Sequence, residues 1–291
     1  MPELETPFRI EPARLEDPPE AISDVIAELS AASATLGVAL NPRTASNLAD
    51  LVRIMNTYYS NLIEGHNTRP RDIERALAGN FDQDDTRRNL QKEAVAHVRV
   101  QAQIDRKAAH NSLPEPASIE FIQWLHREFY RDVAPAMLRI GGEGRELIME
   151  PGAWRSRADH DVAVGRHVPP SSQRVADFMR YFEDRYRFEP LKKAGRIMAM
   201  AAAHHRFNYI HPFPDGNGRV SRLMSHLNAS PDRVRTRKQL SGQELAEHDQ
   251  ILRRGAIRLR ETGAPNDRNV ECRKVVRRDP ADDDRNTGPR L

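Results

Sequence analysis

The stretch His211-Pro212-Phe213-Pro214-Asp215-Gly216-Asn217-Gly218-Arg219 puts an imidazole, a carboxylate, a glycine-framed amide and a guanidinium into a single turn of chain. Two glycines around Asn217 let successive backbone N–H groups point inward without Cβ clashes, and the residues after them can open a helix whose N-terminus favours an anion. Such a loop cradles phosphate oxygens. Asp215 is the hard oxygen ligand that Mg²⁺ accepts when substrate phosphates and water complete its shell. Arg219 and Arg222 stand three apart, so on a helix they share a face and can fork onto phosphate oxygens. His211, with an unperturbed pKa near ~6.5, suits the removal of a proton from an attacking hydroxyl at neutral pH. Taken singly, a Gly-Asn-Gly is an ordinary turn and an arginine pair an ordinary solvated face. A bland turn has no reason to hold His, Phe, Asp, Asn and Arg at these offsets, so the joint pattern points to chemistry.

The same residues, continued through Arg222, resemble the signature of the Fic (Fic/DOC) family, His-x-Phe-x-Asp/Glu-Gly-Asn-Gly/Lys-Arg-x-x-Arg, at every fixed position. The run Ala201-Ala202-Ala203-His204-His205-Arg206-Phe207-Asn208-Tyr209-Ile210 leads into it as that family's helix does. The resemblance implies a protein adenylyltransferase, which moves AMP from ATP to a Ser, Thr or Tyr hydroxyl of a target protein and releases pyrophosphate. It implies His211 as general base, Asp215 on Mg²⁺, and Gly216, Asn217 and Gly218 as the anion hole, with Asn217 orienting the α-phosphate. By the same resemblance Arg219 and Arg222 hold the β- and γ-phosphates, and Phe213 is the structural anchor of the loop. The second glycine, Gly218, argues against the kinase-like relatives, which typically carry lysine there.

Far upstream, Ser60-Asn61-Leu62-Ile63-Glu64-Gly65 closes a helical run that begins near Thr44, with Gly65 as the natural C-cap residue. Ser60 and Glu64 are four apart and share a helix face. The segment resembles the inhibitory motif Ser/Thr-x-x-x-Glu-Gly/Asn of many Fic proteins. That resemblance implies pairing of Glu64 with Arg222, which would keep the γ-phosphate from seating, hence autoinhibition in cis.

Apolar spacing gives a mostly helical, all-α reading. Helices are expected from Ala21 to Leu36 (stripe Ile22, Val25, Ile26, Leu29), and from Thr44 to Glu64 with Leu48, Leu51, Val52, Met55, Tyr58, Tyr59 and Leu62 inward. Others are expected at Arg71–Ala78, at Thr86–Lys107, and after a Ser118 N-cap, where Phe121, Trp124, Leu125, Phe129 and Tyr130 form a core stripe. Ser171 or Ser172 should cap a helix through Val175, Phe178, Met179 and Phe182, and Pro190 should open the helix that delivers His211. His204 and His205 read as structural. Residues 141–170, glycine-rich with short alternating segments, read as a β-hairpin. By resemblance, this is the flap that aligns a target strand over the site, with Trp154-Arg155 and Val162 to Val168 in it. The expected organisation is an N-terminal arm and first helix over 1–40, an inhibitory-helix region over 41–110, a core domain over 111–230 with its signature at 211–222, and a basic tail over 231–291.

With 291 residues the chain can bury one sizeable core. Its single cysteine, Cys272, excludes an intrachain disulfide, and there is no apolar run long enough to span a bilayer and no signal-peptide pattern at the start. A cytoplasmic protein without membrane attachment is the expectation. The net charge of +3 is concentrated in the tail, where residues 231–291 carry fifteen Lys/Arg and eleven Asp/Glu. The 78 residues after Phe213 contain no Phe, Tyr or Trp, so the tail reads as disordered or poorly packed, with a last helix over 241–260. This departs from Fic proteins, which continue with apolar helices. ATP as substrate, Mg²⁺ and an unidentified target protein are the expected partners, with the chain itself as a target and a homodimer left open. Two alternatives stay beside this reading. One is a Fic-fold enzyme of other chemistry, using another nucleotide donor or removing AMP. The other is a nonenzymatic regulatory or nucleic-acid-binding protein acting through its basic tail.

Overall fold

A computed structural model describes residues 5–226, apart from 16, 40, 143 and 144, together with 275–276. The expected tail helix and tail disorder lie outside the described residues. Among those described, the chain is mostly helical, with eight α-helices and small pieces of β-structure.

The helices start where local chemistry starts them. Asn41 accepts from the Thr44 N–H ahead of α2 (Pro42–Ile63), and Asp84 accepts from the Arg87 N–H ahead of α4 (Asp85–Ala109). Ser118 caps α5 (Ile119–Tyr130) in the same way, as expected. Pro70 opens α3 (Pro70–Leu77) at a position whose N–H would have no partner anyway. The serine cap expected ahead of α6 (Val175–Arg185) is absent. A 3₁₀ turn at Ser172–Arg174 leads in, and the hydroxyls of Ser171 and Ser172 are used instead by Glu5 and Arg155. Pro190 likewise stands in a turn, and α7 begins only at Lys193 and runs to Ile210.

The core is aromatic. Phe121 and Phe129 from α5, Phe178 and Phe182 from α6, Phe207 from α7 and Phe213 are all essentially inaccessible, and Val220, Leu223 and Met224 of α8 (Asn217–His226) close the stack. Burial of each such side chain is worth about 2–3 kcal/mol, so the hairpin-like pair α7 and α8 is held mainly by what surrounds it.

Alpha-2 is rolled relative to the sequence reading. Leu48, Leu51 and Leu62, expected inward, are exposed, while Asn56, Thr57, Ser60 and Asn61 are buried. The reason is the partner. Alpha-4 offers His97 and Gln101, and Gln101 binds Thr57, the Arg53 carbonyl and Asn56, while the His97 ring meets the Thr57 hydroxyl at 2.9 Å. Only Ile54, Ile73 and Ala94 form a small apolar cluster there. Alpha-1 (Glu20–Ala39) similarly leaves Ile22 and Val25 exposed.

Residues 141–170 are not one hairpin. Strand β1 (Arg139–Gly142) pairs antiparallel with β2 (Arg145–Ile148), with Arg139 opposite Ile148. Val162–Ala163 forms a separate short strand, β3, paired with Val275–Val276 and followed by a Val164–His167 bridge. The N-terminal arm packs instead of trailing. Ile10 is fully buried, Tyr186 donates to the Ala13 carbonyl, Arg185 donates to Glu11, and Glu5 accepts from the Ser171 backbone and hydroxyl.

Candidate active site

Alpha-7 carries its last apolar residues, Phe207 and Ile210, into the core and ends at His211, whose backbone is left-handed at φ 50° and ψ 60°. That conformation costs a non-glycine residue about 1 kcal/mol, and it turns the chain sharply toward the loop. Phe213 follows and is buried. Its ring stacks on His126 of α5 with centroids 3.8 Å apart and lies 4.6 Å from that of Trp154.

The Asn217 side chain closes the loop from inside. Its Oδ1 accepts from the Phe213 N–H at 2.9 Å, and its Nδ2 donates to the Phe213 carbonyl at 2.8 Å. The amide is therefore engaged with Phe213, and the part of Asn217 that faces an anion is its backbone at the start of α8. Gly216 has φ 77°, and a Cβ there would stand 2.7 Å from the Tyr130 hydroxyl oxygen, so neither the backbone nor the space admits a side chain.

His126 ties the Asp215 end of the loop to the scaffold. The Gly152 N–H donates to its Nδ1 at 2.7 Å, which requires that nitrogen to be unprotonated, so Nε2–H is left to donate to the Asp215 carbonyl at 3.2 Å. Burial pushes this histidine down to about 4, keeping it neutral and the tautomer fixed. The Asp215 carboxylate accepts from the Gly216 N–H and is partly exposed beside the glycine loop. Among the described residues no group of three or more His, Cys, Asp or Glu is arranged for a metal.

The two signature arginines diverge. Arg219 is 4% exposed and turned inward, where its Nη2 donates to Glu93 of α4 at 2.6 Å and its guanidinium lies over the Phe129 ring. Burial opposes its charge, but Glu93 above all holds the pKa higher than usual for arginine. Arg222 points toward α2 and binds its motif, with Nε donating to the Ser60 hydroxyl at 2.8 Å and Nη2 donating to Glu64 Oε1. Glu64 sits at the C-cap of α2, followed by Gly65 at φ 82°. Its carboxylate also reaches the glycine loop, since a Cβ on Gly218 would be 2.6 Å from Glu64 Oε1. Burial alone would raise the Glu64 pKa, yet Arg222 and then Arg219 hold it below the usual carboxylate range.

His211 remains partly exposed beside the loop. Burial and the nearby Arg155 charge push its pKa down to about 4, against the raising effect of the Asn208 carbonyl and Asp215. The ring is therefore an unprotonated acceptor at neutral pH.

The structure thus brings together His211, Phe213, Asp215, Gly216, Asn217, Gly218, Arg222, Ser60 and Glu64, and places Arg219 behind them. Two residues that the sequence reading missed, Glu93 and His126, complete the arrangement together with Arg155. His126 sits within the aromatic stripe of α5, which was a local hint, whereas Glu93 carried no signal. Arg155, expected on the flap, is 1% exposed and packed under His211.

Residues 116–229 match the family model described as Fic/DOC family. A protein adenylyltransferase Fic of Drosophila willistoni is 36% identical over 107 residues, covering 37% of this chain and 18% of that protein. One of Aedes aegypti is 42% identical over 69 residues, covering 22% and 13%. The chain spans less than a fifth of the length of these curated relatives. A Fic-domain-containing signaling protein of Bacteroides thetaiotaomicron shares the fold with a TM-score of 0.59 at 19% identity, covering 80% of this chain and 82% of that one. A C. elegans Fic-1 structure gives 0.59 at 20% identity, covering 81% and 66%. Signature, fold and matches agree: this chain carries a Fic/DOC-family domain over residues 116–229.

Proposed function

We propose that this protein is an adenylyltransferase that moves AMP from ATP to a Ser, Thr or Tyr hydroxyl of a protein target and is restrained in cis by Glu64. The observation that carries the reading is the seat of the Glu64 carboxylate. It lies against Gly218 and on Arg222, the position an anionic phosphate would take at the start of α8.

In the released enzyme the backbone of Gly216 to Gly218 receives the phosphates, and Arg222, freed from Glu64, holds the terminal ones. Arg219 supplies positive charge from behind the loop. His211 accepts the proton of the attacking hydroxyl as its oxygen bonds to the α-phosphorus. The bond from that phosphorus to the bridging oxygen then breaks, and pyrophosphate leaves with the electron pair. A pKa near 4 is low for a base at neutral pH, but an anionic nucleotide beside the ring raises it, which brings the acceptor closer to its task.

Asp215 fits one Mg²⁺, because this metal needs only one or two protein carboxylates when phosphates and water fill its octahedral shell. Bound there, the metal would supply charge neutralisation on the phosphates. ATP, a protein target that includes the chain itself, and a cytoplasmic setting belong to the same proposal. Among the described residues no helix is long and apolar enough to cross a membrane.

The test is intact-protein mass spectrometry after incubation of wild type, Glu64→Gly and Glu64→Gly/His211→Ala with Mg·ATP. An AMP adduct in Glu64→Gly alone is expected. An equal adduct in the His211→Ala double variant, or none in folded, ATP-binding Glu64→Gly, would overturn the reading.

A further inference from the structure

Arg155 is the largest fully buried side chain among the described residues, and its guanidinium and backbone N–H are all engaged in hydrogen bonds. Its backbone N–H donates to the Pro212 carbonyl at 2.9 Å. Its Nε donates to the His211 carbonyl at 2.6 Å, and one Nη2 serves both the Ile210 carbonyl at 2.9 Å and the Pro170 carbonyl at 2.6 Å. Its Nη1 donates to the Ser172 hydroxyl at 3.0 Å, with the Asp161 carboxylate 3.7 Å away. Three consecutive carbonyls, those of Ile210, His211 and Pro212, thus end on one residue. The Ile210 carbonyl is one of those left without a helical partner where α7 stops, those of His211 and Pro212 follow it directly, and at this negative end of the helix a cation is favourably placed.

The chain at this point adopts the left-handed conformation at His211, which a non-glycine residue keeps only when its surroundings over-determine it. Beside the bond from the His211 N–H to Phe207 and the hydrogen bond of the His211 ring with the Asn208 carbonyl, this turn is fixed by the Arg155 Nε on the His211 carbonyl and the Arg155 N–H on the Pro212 carbonyl. Rotation of the His211 peptide would break the bond to Nε and aim the imidazole away from the cleft.

We propose that Arg155 is the positioning residue of the transfer reaction, holding the Ile210–Pro212 backbone so that the His211 ring is presented to the substrate hydroxyl. This rests on the reading of His211 as the base. Arg155 touches neither substrate nor reacting atoms, and it acts through the backbone of His211. The same guanidinium reaches Pro170 and Ser172, at the end of the segment that carries β3, so the base and that segment share one buried anchor. Its charge adds a second effect. Arg155 and His167 lower the His211 pKa while Asp215 and the Asn208 carbonyl raise it, and Arg155 follows only burial among these influences. Burial brings Arg155 itself down to about 10, leaving it charged at neutral pH.

Arg155→Lys retains a charge but loses the planar fork, and Arg155→Gln loses both. Full-length protein with ¹⁵N-labelled histidine would be titrated by NMR, the His211 ring signals being those that vanish in His211→Ala. In Arg155→Lys these signals should move or broaden, and in Arg155→Gln the titration midpoint should rise, with His126 unchanged as the internal control. In the Glu64→Gly background, Arg155→Lys should lower the rate of AMP self-transfer about 100-fold with the KM for ATP within threefold, because a displaced base costs turnover and not nucleotide binding. Should the arginine variants fail to fold, Ser172→Ala keeps the guanidinium and removes one of its bonds, and a smaller shift of the same His211 signals is expected. Unchanged His211 signals and titration in the folded variants, or a KM that rises as much as the rate falls, would overturn the proposal. Absence of transfer in Glu64→Gly itself would sink the adenylyltransferase reading alone, since the NMR measurement needs no activity.

Discussion

Replacing Glu64 with glycine isolates the contact between α2 and the glycine loop. Two interactions hold the carboxylate: the ion pair with Arg222 and the close approach to Gly218. The Glu64 side chain is 32% exposed and that of Arg222 12%, so the pair stands between a surface ion pair, worth up to about 1 kcal/mol, and a desolvated one, whose loss costs about 3–5. A value of about 2 kcal/mol corresponds to a closed state favoured roughly 30-fold. Phosphate and Glu64 exclude one another at Gly218, so the apparent affinity for ATP is reduced by that same factor. Isothermal titration with Mg·ATP should therefore show Glu64→Gly binding roughly 30-fold more tightly than wild type, with Glu64→Gln between them because it keeps a hydrogen bond and loses the charge. The ratio should be flat between pH 6 and 8. The paired carboxyl has a lowered pKa, so pairing is fully present above the ordinary carboxylate value of ~4.3 and is lost only as pH falls below it. Affinities within threefold for wild type and Glu64→Gly would refute the reasoning, whatever the transfer rates.

Three further perturbations test the rest of the site and its support. Glu93→Gln leaves the Arg219 guanidinium buried without its counter-charge and should cost about 3–5 kcal/mol, lowering the Tm by roughly 5–10 °C in a thermal melt; an unchanged Tm would contradict the assigned pair. Chelation of Mg²⁺ should weaken ATP binding to Glu64→Gly, and Asp215→Asn should abolish that dependence while leaving metal-free binding within a few-fold, read by the same titration. Glu11→Ala should destabilise the docked N-terminal arm by about 1 kcal/mol. Arg185, outweighing burial, and then Tyr181 hold Glu11 down at about 2, so its contribution is complete above pH ~4.5 and drains away as pH falls toward 2, a slope that Glu11→Ala should remove from urea melts.

The parts of the site that were legible in the sequence are those whose chemistry is local. A loop needing φ above zero at Gly216, an anion nest and a helix starting immediately after it are all written into consecutive residues, and so are the caps at Ser118 and Gly65. Alpha-2 shows the opposite case. Its leucines announced an inward stripe, but burial is decided by what lies opposite, and α4 presents His97 and Gln101, with which Asn56 and Thr57 can bond and leucine cannot. The polar face went in because leaving those α4 groups unpaired would cost more than exposing Leu48 and Leu51. Glu93 escaped notice, and Arg155 was assigned to the flap instead of the interior, for the same reason. A buried charge reads as a surface charge until its partners, some 56 and 126 residues away in sequence, are known. The N-terminal arm lacked periodicity because its anchors, Glu5, Ile10 and Glu11, fit a surface made by α6 and α7 and follow no repeat of their own.

Arg219 and Arg222 look equivalent in the sequence, three apart on one helix, yet the structure gives them carboxylate partners of different permanence. Glu93 projects from the middle of α4 and its side chain is 9% exposed, so separating it from Arg219 would strand two charges in the interior. Glu64 stands at the last turn of α2, where the helix meets the body through a polar seam whose groups can be satisfied by water as well as by one another. The cost of parting Glu64 from Arg222 is therefore smaller, and it can be met by an incoming phosphate, which offers Arg222 the same charge-assisted bonds. Under the proposed function, one arginine is fixed as scaffold charge behind the loop and the other exchanges between an internal carboxylate and a ligand. A site built this way can be inhibited without being dismantled, because the residue that must move belongs to α2, while His211, Asp215 and the glycines are held from other directions by Arg155, His126 and Tyr130.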